Sequence, residues 1–343
     1  MKHHQHGKLL ILSICSALAA PLATASPDCL TLAAQSASES TTVAELRALC
    51  QSPRWSTTDT PAPTTERQSE QTITEPSHSN SGVVQQRFEL ERFTHDNPFV
   101  LTPHRSNYIL PISYRDDIVD YNSLVPGADI QQDNTELEFQ LSIKVMVWES
   151  IFENNGYLSM GYTNRSFWQA YNSVTSAPFR ETNHEPEAML TFTNDGEWLG
   201  FRNVGNQLIF NHQSNGRSEP ISRSWNRLML NFIFERDRFA MSFKPWYRLK
   251  EDKEDDNNPN IEKYLGHFEW MGIYNWHNRT LSLMLRNNLR SENKGAMELG
   301  WSFPINSRVK AYVKYFNGYG ESLIEYNNAI ESIGIGVLIS DWL

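Results

Sequence analysis

The chain has 343 residues, enough for one large domain or two ordinary ones, and a formal net charge of -10 at pH 7. This acidic balance, with no basic patch that carries interleaved aromatic residues, argues against nucleic acid as a partner. The sequence also has no phosphate-binding loop, no dinucleotide fingerprint and no zinc-type spacing of cysteine and histidine.

Residues 1–25 have the three parts of a secretory signal peptide. Lys2 and Lys8 supply positive charge, residues 9–20 form an apolar core, and Ala23-Thr24-Ala25 provides small residues for cleavage. No later window reaches the roughly 18 consecutive apolar residues of a membrane-spanning helix. We therefore expect an exported protein that, if it enters a membrane, does so without helices.

Residues 26–84 are predicted to form a separate periplasmic extension. Residues 42–50 favour one short helix, whereas residues 52–81 are rich in Ser, Thr, Pro, Gln and Glu, a composition typical of a disordered linker. Cys29 and Cys50 are the cysteines left after the signal peptide. In an exported chain this pair is consistent with a local disulfide, and two free thiols remain the alternative.

The domain from residue 85 to residue 343 begins with a leading segment whose aromatic residues, Phe88, Phe93, Phe99 and Tyr108, suggest that it packs on or inside the remainder of the domain. Beyond this segment apolar and polar residues alternate, as in strands whose side chains point to two faces in turn. Twelve such strands are predicted, near residues 135–149, 155–171, 184–195, 197–213, 224–235, 238–249, 262–276, 279–290, 294–304, 307–317, 321–328 and 330–343.

Alternating strands are compatible with a soluble sandwich or with a membrane barrel whose apolar face meets lipid. The predicted strands have about 10–15 residues, long for a sandwich and suited to tilted membrane strands. Trp148, Trp246 and Trp276 are among the aromatics near strand ends, where barrels have interfacial girdles. Charges such as Glu138 and Lys310 occupy positions that a soluble core could not easily satisfy. We predict an all-β fold, a twelve-stranded antiparallel transmembrane β-barrel of the bacterial outer membrane.

A polar run from residue 211 to residue 226 connects two predicted strands. Within each strand the residues with even numbers share a face, so His212 and Ser214 lie together on an otherwise apolar face. If the hairpin is centred near Glu219, His212 lies opposite Asn226. Opposed Cβ atoms are roughly 4.5–5.5 Å apart, close enough for a side-chain hydrogen bond.

If the apolar positions face lipid, this polar trio faces lipid too, and such placement costs free energy unless it serves a purpose. An acyl hydrolase that acts on the lipid itself needs it, with Ser214 as nucleophile, His212 as base and Asn226 as the amide that orients the imidazole. The loop 216–223 offers backbone N–H groups to an oxyanion. Side-chain oxygens suited to calcium come from Ser218, Glu219 and Ser222. A polar rim at the membrane interface, without chemistry, is the alternative.

Five motifs in the chain carry a family resemblance. They are Asn211-His-Gln-Ser-Asn-Gly-Arg-Ser-Glu-Pro-Ile-Ser-Arg-Ser-Trp-Asn-Arg227, Pro178-Phe-Arg-Glu-Thr-Asn183, Lys244-Pro-Trp-Tyr247, Asn258-Pro259 with Lys263-Tyr-Leu-Gly266, and Gly318-Tyr-Gly-Glu-Ser-Leu-Ile324. Over roughly residues 93–343 the chain resembles the outer membrane phospholipase A family. The resemblance implies a twelve-stranded barrel and calcium-dependent hydrolysis of phospholipid acyl esters at either glycerol position, as a phosphatidylcholine 1-acylhydrolase and 2-acylhydrolase. It also implies action on lysophospholipids and an active homodimer with a quiescent monomer.

Site roles come from the same resemblance, position by position. It makes Ser214 the nucleophile, His212 the proton acceptor and Asn226 the orienting amide. The calcium ligands that it implies are Ser222 and the carbonyl of Arg217, together with a carbonyl of the other subunit at Ser176. A water held by calcium, with the amide of Ser214, would face the oxyanion.

The chain departs from the family pattern at several positions. Glu219 stands where aspartate is common, and Asn257 stands where the family pattern has an acidic residue that helps a second, weaker calcium site. Asn164 falls where a glutamine is expected at the dimer contact, and the chain ends in Trp342-Leu343 instead of the usual terminal Phe. The competing hypotheses are a non-catalytic outer-membrane barrel, acting as a narrow channel or as a structural or adhesive protein, and a soluble secreted esterase.

Overall fold

The computed structural model describes residues 82–94, 102–118, 131–153, 155–306 and 309–341. They all belong to the second of two compact units of the chain, Pro76–Leu343. The predicted signal peptide, the extension up to residue 81, the pair Cys29 and Cys50, and the terminal Trp342-Leu343 lie outside the described residues.

Twelve long strands form an antiparallel meander in which each strand pairs with the next. The last strand pairs with the first, so the sheet is closed and the predicted fold class is confirmed. A two-residue strand, β1 (Thr102–Pro103), also pairs with β3. The long strands are β2 (Asn107–Arg115), β3 (Thr135–Trp148), β4 (Tyr157–Trp168), β5 (Phe179–Trp198), β6 (Phe201–Ser214), β7 (Ser224–Arg236), β8 (Phe239–Leu249), β9 (Phe268–Trp276), β10 (Arg279–Asn287), β11 (Gly295–Pro304), β12 (Lys310–Tyr319) and β13 (Ala329–Ser340).

The two ends of the barrel differ in their connections. At one end, called the turn end, β5 joins β6 through Leu199-Gly200 and β9 joins β10 through His277-Asn278. All four of these residues have positive φ, between 45° and 78°, as two-residue hairpin turns that match the twist of the strands require. The opposite end, called the loop end, carries the long connections 215–223 and 250–267.

The faces of the strands agree with the predicted alternation. Apolar side chains such as Phe210 and Leu228 point outward and are 49% and 43% exposed. Trp148 and Trp276 are also exposed, at the turn-end limits of β3 and β9. The prediction that Trp246 belongs to the interfacial girdle is wrong. Trp246 is buried inside the barrel, because Tyr247 is the residue of β8 that faces outward at this level.

Ion pairs fill the interior of the barrel. Lys314 contacts both carboxylate oxygens of Glu138 at 2.5 and 2.6 Å, and Arg180 bridges Glu136 and Glu325 at 2.8 and 2.5 Å. These charges are fully or almost fully buried, so each depends on its partners for the solvation that water would give. The interior also contains a cavity of about 240 Å³ that is lined by charged, polar and apolar side chains.

Helix α1 (Val83–Thr94) packs inside the barrel near the turn end. The amide of Val84 donates to Glu235 Oε2 at 2.8 Å, and Phe88 packs in a buried cluster with Val204 and Ile233. Glu91 of this helix forms an ion pair with Lys144 of β3. Neither α1 nor the other helix in the described part of the chain, α2 (Ile261–Leu265), is long and apolar enough to cross a membrane.

Part of the predicted leading segment is itself a strand. Residues 107–115 are β2, which closes the barrel between β13 and β3. Pro111 interrupts the alternation here because it lacks an N–H, and the register with β3 shifts between Leu110 and Ser113. Phe88 packs inside the barrel as expected, whereas Phe99 and the side chain of Phe93 lie outside the part of the chain that the structure describes.

Two predicted strands are corrected at the loop end. Residues 321–328 form turns, because the amides of Leu323 and Ile324 donate to the side chains of Asn183 and Glu181 instead of to a neighbouring strand. The segment predicted at 262–276 becomes a strand only at Phe268. Before it, Ile261 and Leu265 are buried on one face of α2, with the spacing of a helix.

Candidate active site

The register of β6 and β7 brings together two of the predicted site residues. His212 is paired with Asn226, as the symmetry about residue 219 predicts. His212 Nδ1 lies 2.8 Å from Asn226 Oδ1, so the imidazole donates to the amide oxygen when its proton is on Nδ1. This contact fixes the plane of the ring and leaves Nε2 free for a second partner.

Ser214 lies two residues beyond His212 on the same outward face of β6, at the end of the strand. Leu208 and Phe210 precede them on this face and are 41% and 49% exposed. His212, Ser214 and Asn226 are all half-buried. The structure therefore places a histidine, a serine and an amide at the loop end of the outer wall, next to the apolar outward residues of β6.

The loop 215–223, which comes directly after Ser214, is organised by Asn215, whose side chain is buried. Its Oδ1 accepts from the amides of Arg217 and Arg223 at 3.3 and 2.9 Å, and its Nδ2 donates to the carbonyl of Ile221 at 2.9 Å. The guanidinium of Arg217 donates to the carbonyls of Phe179 and Arg180. A single buried amide thus holds the loop closed beside the serine.

The three residues that the family resemblance assigns to calcium, Ser222, Arg217 and Ser176, supply only neutral oxygen atoms. Ser222 Oγ accepts from Asn257 Nδ2 at 2.9 Å, and Asn257 Oδ1 accepts from the amide of Ser224 at 3.0 Å. Ser176 is exposed in the loop between β4 and β5, as a ligand to a second subunit must be. Within the described residues, no three His, Cys, Asp or Glu side chains form a cluster suited to a metal. Hydroxyl and carbonyl oxygens fit a hard cation such as Ca²⁺ better than a transition metal.

Two neighbours of the predicted trio were not found from the sequence. His184 of β5 is paired with Ser214, and its Nδ1 lies 2.7 Å from the hydroxyl of Tyr162. Glu251, just beyond β8, accepts a hydrogen bond from Asn226 Nδ2 at 2.9 Å. The position of His184 is predictable, because the even-numbered residues next to it on β5 share its outward face. No sequence pattern predicts the position of Glu251, since it depends on where β8 ends.

Comparison with known proteins decides the family. The model of the phospholipase A1 family matches residues 84–339 of the chain. The chain belongs to the phospholipase A1 family. The phospholipase A1 of Klebsiella pneumoniae is 39% identical over 249 residues, which make up 72% of this chain and 85% of that protein. The phospholipase A1 of Proteus vulgaris is 40% identical over 253 residues, 72% of this chain and 84% of the other.

Solved structures agree with this membership. A Salmonella typhi outer membrane phospholipase, crystallised as a dimer with bound calcium, superposes with a TM-score of 0.69 at 34% identity, over 74% of this chain and 97% of that one. The outer membrane phospholipase A of Escherichia coli gives a TM-score of 0.65 at 35% identity, over 71% of this chain and all of that one. This phospholipase A1 family member is thus a β-barrel of the bacterial outer membrane, as predicted.

Proposed function

We propose that this family member hydrolyses the acyl esters of membrane phospholipids and lysophospholipids with a Ser214–His212–Asn226 triad, calcium and a dimeric active form. The observation that carries the proposal is the 2.8 Å contact between His212 Nδ1 and Asn226 Oδ1 beside Ser214, on a wall that otherwise suits lipid. The same wall in a purely structural barrel would bury this polar group against acyl chains at a cost.

The contact between His212 and Asn226 supports the roles proposed for the three residues. With its proton on Nδ1 held by Asn226, His212 presents Nε2 to the serine hydroxyl as a base. Ser214 Oγ attacks the ester carbonyl and its proton passes to Nε2, which then returns it to the departing lipid alcohol. Water next attacks the acyl-serine with the same base, releasing the fatty acid and restoring the hydroxyl.

The developing oxyanion requires positive charge or N–H donors. We assign Ser222 Oγ, the carbonyl of Arg217 and the carbonyl of Ser176 from a second copy as ligands of a calcium ion. When bound, that ion supplies electrostatic stabilisation of the oxyanion. The backbone N–H of Ser214 is the donor that this chain itself contributes. Because Ser176 belongs to the second copy, a complete site requires the dimer, and this accounts for a quiescent monomer.

The test is fatty-acid release from phospholipid mixed micelles by the refolded protein, with calcium or with a chelator. Ser214→Ala removes the nucleophile, and Ser291→Ala, which changes an exposed serine in the loop between β10 and β11, is its matched control. Calcium-dependent release that is lost in Ser214→Ala and kept in Ser291→Ala supports the proposal. Wild-type dimer that folds, binds calcium and releases nothing would leave the non-catalytic barrel, and planar-bilayer conductance would then test for a channel.

A further inference from the structure

Glu251 lies next to Asn226 because of the way β8 ends. Leu249, the last residue of β8, is paired with Asn226, and Glu251 comes two residues later, beside the same outward face. Its Oε1 accepts a hydrogen bond from Asn226 Nδ2 at 2.9 Å. A continuous chain of hydrogen bonds therefore runs from Glu251 through the amide of Asn226 to the ring of His212.

Glu251 sets the direction of these hydrogen bonds. An ionised carboxylate only accepts hydrogen bonds, so Glu251 requires the amide nitrogen of Asn226 and turns the amide oxygen toward His212. That oxygen in turn requires a proton on Nδ1 of the ring. An asparagine alone could equally present its nitrogen to the ring and favour the wrong tautomer, with the proton on Nε2.

Glu251 also supplies the charge that an asparagine lacks. The second carboxylate oxygen, Oε2, is buried and has no hydrogen-bond partner among the described residues. No ion pair within the described residues therefore neutralises the Glu251 carboxylate at Oε2. Its negative charge polarises the amide of Asn226 through the hydrogen bond that joins them. A buried charge polarises a hydrogen-bonded neighbour more strongly than a solvated one does. It stabilises the imidazolium that forms when His212 takes the serine proton.

We propose that Glu251 is a positioning residue of the catalytic machinery, which orients Asn226, selects the reactive tautomer of His212 and stabilises its protonated form. This inference rests on the proposed function and adds a fourth member to the triad. It differs from a structural role for Glu251, in which the residue would only attach the loop 250–260 to the barrel.

The first experiment measures kcat and KM of Glu251→Gln, which keeps the shape of the side chain and removes its charge. A charge-assisted hydrogen bond realised in the transition state predicts a fall in kcat of roughly ten-fold with little change in KM. Glu251→Asp should recover part of the loss because it restores the charge. Glu254→Gln, an exposed glutamate in the same loop, is the matched control and should keep full activity. Heat-modified gel mobility checks that each barrel has folded.

The second experiment asks whether Glu251 acts through Asn226. In an Asn226→Ala background, Glu251→Gln should cost no further activity. In an Asn226→Asp background its effect should reverse sign and raise kcat, because the introduced carboxylate repels Glu251 and would accept a hydrogen bond from a glutamine amide. If Glu251 has only a structural role, Glu251→Gln should cause the same loss in the wild type, in Asn226→Ala and in Asn226→Asp. That result would overturn the inference.

Nitrogen NMR of labelled His212 gives a readout that does not depend on turnover. The neutral ring should carry its proton on Nδ1 in the wild type and become a mixture of tautomers in Glu251→Gln. Unchanged tautomers together with an unchanged kcat would overturn the positioning role. Absence of any Ser214-dependent release by the wild type is a different result: it would remove the proposed function itself, and the inference with it.

Discussion

His184 on β5 lies directly opposite Ser214 on β6, and Asn164 on β4 lies directly opposite His184. These three polar residues therefore form a row on the outer wall, with one residue on each of three adjacent strands. Asn164 Nδ2 is 3.3 Å from His184 Nδ1, and Tyr162 contributes its hydroxyl to the same nitrogen. A polar row of this kind in lipid is most favourable where a second polar surface covers it.

We expect Asn164→Leu to weaken dimer formation, because the row loses the amide at its β4 end on the face that we assign to the second copy. Polar contacts in membranes contribute about 0.6–1.7 kcal/mol, so the dimer dissociation constant should rise roughly 3- to 20-fold. Sedimentation equilibrium in detergent with calcium measures this. Tyr315→Phe removes a lipid-facing hydroxyl that donates to Glu331 on β13 and should leave the constant unchanged. Equal constants for Asn164→Leu and wild type would place the dimer face elsewhere.

Asn257→Asp should lower the calcium concentration that gives half-maximal activity. The substitution puts a carboxylate where an amide now contacts Ser222 Oγ, and anionic oxygens bind calcium more tightly than neutral ones. About 1 kcal/mol of added attraction corresponds to a decrease of roughly 5-fold. Asn260→Asp, exposed in the same loop, controls for a general increase in negative charge. A half-maximal concentration that does not fall, or falls equally in the control, would show that residue 257 is remote from the ion.

Lys314→Met should destabilise the barrel, because it leaves the carboxylate of Glu138 buried without its main partner. Both residues are fully buried, and Arg165 Nε remains as a second contact to Glu138 at 2.9 Å. Breaking a buried ion pair from one side costs about 3 kcal/mol or more. Urea unfolding in detergent, followed by tryptophan fluorescence, gives the free energy of unfolding. Lys253→Met, at an exposed turn, should change it by less than about 0.5 kcal/mol.

Glu325 makes stability sensitive to acid. Burial would raise the pKa of this carboxylate, but Arg180 and Arg115 outweigh it and hold the pKa below the ordinary value of 4.5. Since the folded pKa is the lower one, the stabilisation is complete above pH 4.5 and is lost as the pH falls through the folded value. Glu325→Gln should therefore be less stable than wild type at pH 7, and the difference should shrink in acid. A constant difference across the titration would contradict the prediction.

Phe88→Ala should loosen helix α1 from the interior of the barrel. Phe88 is 8% exposed and lies against Gly205, so its removal costs about 3–5 kcal/mol of packing. Limited trypsin digestion at Arg87 should then become faster. Leu90→Ala changes a side chain of the same helix that is 56% exposed and should leave the cleavage rate close to that of wild type.

Much of the barrel is predictable because lipid and lumen impose one period on every strand. The alternation of Leu137 with Glu138 is enough to assign both faces of β3. The same rule fails at Pro111, where a missing N–H and a register shift disguise β2. It also fails at Leu323 and Ile324, whose backbone partners are side chains from a distant strand.

The candidate site also combines contacts that the sequence predicts with contacts that it does not. His212 and Asn226 can be paired in advance, because a hairpin is symmetric about its turn. Glu251 and Asn257 reach the site from the loop after β8, and nothing local to either residue indicates where that loop returns. Contacts within one hairpin are therefore predictable from parity, whereas contacts made by a long loop require the folded barrel.

The opposed positions of helix α1 and Ser214 have a consequence for the supply of lipid. Along β6, Val204 beside α1 and Ser214 at the loop end are ten residues apart, about 33 Å of strand, or about 25 Å across a membrane once strand tilt is included. The serine therefore meets the glycerol esters of one leaflet only. Under the proposed function, phospholipid of the other leaflet has to cross the bilayer before Ser214 can cleave it, so the rate of fatty-acid release reflects how far the two leaflets have mixed.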